Sequence, residues 1–181
     1  MDISRKEGNF MKKLAMFVCL VMLSLTANKT TLASEVTVND PNIQVIVEKG
    51  DSFLSKSMAN VDRYEDVYAR ALSRPTSAFH LSSPYYFQVF ASRSNIYSNY
   101  YFTGHTGMIN FHFDEYHGPA LFEKTFKVYV YEQGTNKEMF NVALNKGDAS
   151  TIHALNLSTS KGYYFKVVPN GQTNISGKVY R

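Results

Sequence analysis

Cysteine occurs once in this 181-residue chain, at Cys19, and tryptophan does not occur at all. Cys19 lies inside an apolar run, so everything after that run lacks a disulfide, a thiol nucleophile and a Cys-x-x-Cys zinc knuckle. A domain without disulfides has to be held by its core alone. No Gly-x-Ser-x-Gly elbow marks a hydrolase serine, and no His-Glu-x-x-His pair marks a metalloprotease. No glycine-rich loop follows a strand and opens a helix, which removes the usual phosphate cradle. No Asp-x-Asp-x-Asp-Gly loop offers an EF-type calcium site. Prolines number five and glycines ten, with no Pro/Gly/Ser linker to divide the chain and no repeat.

What is present begins with a leader. Met11-Lys12-Lys13 precedes the run Leu14–Ala27 (LAMFVCLVMLSLTA), and small residues follow from Thr30 to Ser34. A basic start, an apolar middle and a small-residue end are the three parts of a secretory signal. The run is shorter than the ~20 residues of a stable membrane span. Residues 1–33 therefore read as a signal peptide cut after Ala33, with Ala27 and Ser34 as alternative cut sites. An uncleaved anchor is the competing reading. Asp2 and Glu7 are odd in a signal, which makes Met11 an alternative start. A lipid anchor on Cys19 would need small residues before it, and Met16-Phe17-Val18 stand there instead.

The formal net charge of +4 comes mostly from this leader: Arg5, Lys6, Lys12, Lys13 and Lys29 against Asp2 and Glu7 account for three of the four charges. The exported part is close to neutral and carries no Lys/Arg cluster, so nucleic acid is not an expected partner. It is one domain's worth of chain, long enough to bury a core.

Two stretches organise it. Residues 34–83 hold a short β arm, Val36–Val38 and Ile43–Val47, and then an amphipathic helix. In that helix Leu54, Met58, Val61, Val67/Tyr68 and Leu72 recur at spacings of three and four, Asp51 or Ser52 caps the start, and Arg74-Pro75 stops the end. Residues 84–181 change to period two. Tyr85–Ala91, Ile96–Phe102, Met108–Tyr116, Thr125–Glu132, Glu138–Val142, Thr151–Leu157, Gly162–Val168 and Ile175–Tyr180 are short aromatic or β-branched runs, with turn residues between them. They predict an all-β fold, an antiparallel β-sandwich of jelly-roll type. Alternation predicts Phe111, Phe113, Phe126, Val128, Val130, Phe165 and Val167 inside, and the residues between them on a wet face.

The C-terminal half, roughly Tyr101–Arg181, resembles the bacterial pre-peptidase C-terminal type of β-sandwich. The matching pieces run in order: YYFTGHTGMINFHF, FKVYVYEQGTNKE, TIHALNLSTSKGYYFKVVP and the last strand NISGKVY. The resemblance implies a module of the kind that follows secreted enzymes and binds matrix or polysaccharide, or assists secretion. The family's Asp-x-Asp-Leu element has no counterpart in Phe126–Tyr131, so no calcium role is carried over and no cofactor is expected.

Two constellations compete for function. The first is the wet-face group Lys127, Tyr129, Tyr131, Tyr164 and Lys166. Amphipathic rings give large contact area at low entropy cost, which suits a protein or glycan ligand. The bland counterpart is that tyrosine merely covers the sheet, because it has high β propensity and one wet end. The second is His105, His112, Asp114 and His117. His112 and Asp114 share a strand face, so a hydrolase or metal-dependent enzyme could be centred there, against the simpler reading of a polar outer face. The first constellation leads. It describes an exported, non-enzymatic binding or adhesion-type module, acting at the cell surface or in the medium on a cell-wall, matrix or secreted protein or glycan. A structural or inhibitory partner of a co-exported protease is a third reading.

Overall fold

The computed structural model describes residues 35–50, 72–116, 125–145, 147–171 and 173–181. The leader, the amphipathic helix expected within 51–71, His117 and the loop after it lie outside the described residues. Twelve strands are described: β1 (Val36–Val38), β2 (Gln44–Lys49), β3 (Ser77–His80), β4 (Tyr85–Ser92), β5 (Ile96–Tyr97), β6 (Tyr100–Thr103), β7 (Ile109–Tyr116), β8 (Thr125–Glu132), β9 (Glu138–Asn145), β10 (Ser150–Leu155), β11 (Tyr163–Pro169) and β12 (Thr173–Tyr180). No helix occurs among the described residues.

The strands form two sheets, and the described residues make an all-β sandwich. One sheet runs β2-β10-β7-β12-β4, and the other runs β1-β9-β8-β11-β6-β3 with β5 also on β11. Leaving aside β1, β2, β3 and the two-residue β5, the remaining eight strands pair in nested couples. β8 pairs β9, β7 pairs β10, β6 pairs β11 and β4 pairs β12, all antiparallel. Among the described strands, only β3 on β6 is parallel.

Strand phase decides what is inside. Ile109, Phe111 and Phe113 of β7, Phe126, Val128 and Val130 of β8, and Phe165 and Val167 of β11 are buried, as alternation predicts. Phe165 sits where the sheets meet, with ring centroids 4.9 Å from Phe87 and 5.6 Å from Phe113. Opposite them β12 carries Gly177, where the ring of Phe87 fills the space a side chain would take. A Cβ there would meet the His112 carbonyl of β7 and come within 2.6 Å of Phe87 Cζ. Glycine is what lets a large ring lie against the backbone at this point.

Three elements differ from the expectation. The N-terminal arm is not a hairpin or a loose tail. β1 joins β9 in one sheet and β2 joins β10 in the other, so the turn between them bridges the sheets. That turn is closed by Asp40, whose carboxylate accepts from the Asn42 amide at 3.0 Å and meets Lys137 at 2.9 Å. β3 was not expected. Its four residues show no alternation, and they are strand because they pair along β6 and set Phe79 against the core. IYSNYYF is two strands, not one. Ser98 breaks it: its Oγ donates to the Tyr100 carbonyl at 2.9 Å and accepts from the Phe165 amide at 3.3 Å, so the chain bends while staying tied to β11.

Candidate functional site

The five wet-face residues, separated by up to 39 positions in the chain, come together on the outer face of one sheet. β8 and β11 are direct antiparallel neighbours, with Tyr131 opposite Tyr164, Tyr129 opposite Lys166 and Lys127 opposite Val168. The rings of Tyr131 and Tyr164 lie 5.3 Å apart at 18°, and those of Tyr129 and Tyr131 lie 6.4 Å apart at 18°. The ammonium of Lys166 rests over them, 4.5 Å from the Tyr129 centroid and 5.3 Å from that of Tyr131. Such a cation over an aromatic face contributes about 0.5–1 kcal/mol at a partly wet site. Lys127 is exposed, Tyr129, Tyr131 and Lys166 are half-buried, and Tyr164 is fully buried.

Tyr164 thus departs from the expectation of an exposed ring. Its position is outward, but neighbours enclose it. Tyr131 stacks on it, Tyr97 of β5 lies 6.2 Å away, and its hydroxyl donates to Asn136 Oδ1 at 2.9 Å. Asn136 can reach because it takes a left-handed conformation (φ 56°) in the β8–β9 turn. Burial raises the Tyr164 pKa, and the nearby Arg74 charge opposes that rise. Tyr164 is the anchor of the stack, and Tyr129 and Tyr131 are its accessible members.

One member of this face was missed from sequence. Tyr97 was read within one long strand, IYSNYYF, and was not singled out. Along the next strand, β9 places Asn141 opposite Tyr129 and Ala143 opposite Lys127.

Of the histidine constellation, His117 lies outside the described residues, and His105 and His112 make separate contacts. His105 is buried in the loop before β7. Its Nε2 donates to the Lys161 carbonyl at 3.2 Å, its Nδ1 accepts from the Gly107 amide at 3.2 Å, and its ring meets Tyr163 edge-on at 5.4 Å. Both nitrogens serve the loop. Burial lowers its pKa, and the Lys161 carbonyl opposes that. His112 and Asp114 do share the outer face of the other sheet, and both are buried there with Asn110, Thr151 and Ser176. His112 Nδ1 bonds Thr151 Oγ1 at 2.9 Å, and its Nε2 finds no partner among the described residues. Burial and the Lys178 charge lower its pKa, while Asp114 opposes them. His153, not singled out from sequence, bonds Asn110 Oδ1 at 2.7 Å and approaches Glu48 at 3.6 Å. Among the described residues, no three of His, Cys, Asp and Glu converge as metal ligands would. No protein-family model, curated protein or solved structure matches the chain.

Proposed function

We propose that this chain is an exported, non-enzymatic binding module that uses the Tyr129–Tyr131–Tyr164 stack with Lys127 and Lys166 as its contact surface. Its ligand is a cell-wall, matrix or secreted protein or glycan, met at the cell surface or in the medium. The supporting observation is the contiguity of the patch: side chains from two strands distant in sequence form one surface of rings and cations. A sheet needs no such arrangement for stability, since the core of Phe87, Phe113 and Phe165 lies on its other side. Export is inferred from the Lys12-Lys13, apolar and small-residue order of the leader. The nested pairing of the eight main strands is read as a jelly roll, two Greek keys folded over one core. That reading, and the likeness of Tyr101–Arg181 to the pre-peptidase C-terminal type of sandwich, fit a module that binds and does not catalyse.

The test compares the wild-type protein with a Tyr129→Ala/Tyr131→Ala double variant on isolated wall and secreted material of the producing organism. At a true contact surface the variant keeps its urea midpoint within about 1 kcal/mol of wild type. Its binding then weakens by about 2 kcal/mol or more. Equal binding at equal stability would make the rings mere sheet cover.

A further inference from the structure

On the reading that this face binds a ligand, we infer that the ligand is an extended acidic polypeptide segment with carboxylates at alternate positions. Three observations lead there. The first is charge. The outward positions of β5, β8 and β11 that alternate with the core carry Lys127 and Lys166 and no carboxylate. The nearest acids stand at strand ends and are engaged. Glu132 meets Lys161 at 3.3 Å and accepts from the Thr135 hydroxyl at 3.0 Å. Glu138 accepts from Asn39 at 2.9 Å and from Asn141 at 2.8 Å. Glu138 stands opposite Tyr131 and keeps its charge, marking the β9 margin of the patch, while the outward positions of β8 and β11 are cationic and would repel a basic partner.

The second observation is the direction of the rings. A sugar binds tyrosine by lying on the ring face. Here the near-parallel rings of Tyr129, Tyr131 and Tyr164 turn their faces to one another, and Lys166 covers two of them. A ring whose face is occupied interacts through its edge, which is the positive part of the aromatic quadrupole. Edge and ammonium attract the same kind of group, an anion.

The third is spacing. Lys166 stands opposite Tyr129 and Lys127 opposite Val168, so the two lysines are diagonal neighbours across β8 and β11. Diagonal positions on a sheet face are about 7–8 Å apart. Side chains at i and i+2 of an extended chain lie on one side, about 6.6–6.8 Å apart. Two alternate carboxylates reach both lysines without bending the peptide, whereas adjacent carboxylates point to opposite sides.

The test titrates the purified protein with four fluorescent or soluble probes: an alternating Glu-Thr dodecapeptide, a peptide of the same composition with all Glu in one block, an alternating Lys-Thr dodecapeptide, and polygalacturonate. The alternating acidic peptide should bind most tightly. The block peptide should bind several-fold more weakly and the basic peptide not at all. Lys127→Gln and Lys166→Gln should each weaken the alternating peptide about tenfold, the scale of one lost charge-assisted contact. Lys127→Arg should retain binding, and unchanged urea midpoints show that the folds are intact. Equal affinity for the block and alternating peptides overturns the spacing argument. Tighter, lysine-dependent binding of polygalacturonate overturns the peptide in favour of an acidic glycan. If the tyrosine double variant loses the native ligand but the lysine variants keep it, the acidic-ligand inference fails while the contact surface stands. If both keep it, both fail.

Discussion

Gly177→Ala puts the register of the five-stranded sheet to the test. Gly177 faces Phe113 on β7 and Phe87 on β4, with its hydrogens toward the core. An added methyl would strike the His112 carbonyl, which is backbone, and would sit 2.6 Å and 2.9 Å from two atoms of the Phe87 ring. The ring has nowhere to go. It is fully buried, 4.9 Å from Phe165 and 5.5 Å from Phe113. The methyl must therefore push β12 away from β7 or drive Phe87 off its rotamer. Overpacking of this kind costs about 1–3 kcal/mol, and more where backbone is the obstacle. Against it stands the gain from replacing glycine, about 0.4–1 kcal/mol through a less flexible unfolded chain. The net expectation is a loss of roughly 1–3 kcal/mol, read as a lower urea midpoint at unchanged slope. Ser176→Ala next door is the control. It faces outward and gives up one bond, Ser176 Oγ to the Asp114 carbonyl at 3.3 Å, worth about 1 kcal/mol. If Gly177→Ala were neutral or stabilising, Gly177 would be on the outer face, and the register of β12 would be off by one residue.

Phe113→Ala and Phe126→Ala each remove a fully buried ring, so each should lower stability by about 3–5 kcal/mol in the same assay; midpoints at the wild-type value would place these strands in the opposite phase. Stability should fall as pH drops below about 6.5, because His105 and His112 have lowered pKa values when folded and ordinary ones when unfolded, so the unfolded chain takes up protons first. The full contribution is present above that pH, and His105→Gln should flatten the acid limb of a midpoint-against-pH plot; an unaltered limb would remove His105 from the account. The exported protein should begin at or near Ser34, and N-terminal sequencing that found Met1 or Met11 would favour an anchored leader.

The sandwich was legible because each long strand alternates cleanly. TFKVYVYE can bury Phe126, Val128 and Val130 in only one phase, and the same holds for Ile109, Phe111 and Phe113. The pairing of β8 with β11 was not legible from spacing. Thirty residues separate the two strands, and nothing in either run names its neighbour. Tyr97 was missed because alternation turns it outward without showing that β5 pairs with β11 and brings it to Tyr164. β3 was missed because its stability is borrowed from β6, and a four-residue strand has too few positions for a period. The burial of Tyr164 depends on Asn136 and Tyr97, brought to it only by the fold.

The same physics separates the two candidate sites. On the outer face of the five-stranded sheet the polar side chains answer one another: His112 takes Thr151, His153 takes Asn110, and Ser176 takes the Asp114 carbonyl. That face makes many of its own hydrogen bonds, His112 Nε2 being left unpartnered among the described residues, and burial disfavours the charged form of His112. A ligand there would compete with bonds already made by His112 Nδ1, by His153 and by Ser176. On the other sheet the outer face is built of rings and ammonium groups, whose mutual attraction is weak, and Lys127 reaches solvent. Displacing Lys166 from two tyrosines costs about 1–2 kcal/mol, comparable to the roughly 1.5–3 kcal/mol of one hydrogen bond to a charged group, so Lys127 and the ring edges are the parts of this face most open to an anion. On the proposed reading a ligand meets Lys127 and the ring edges first, although the histidines are the more chemically suggestive residues in the bare sequence.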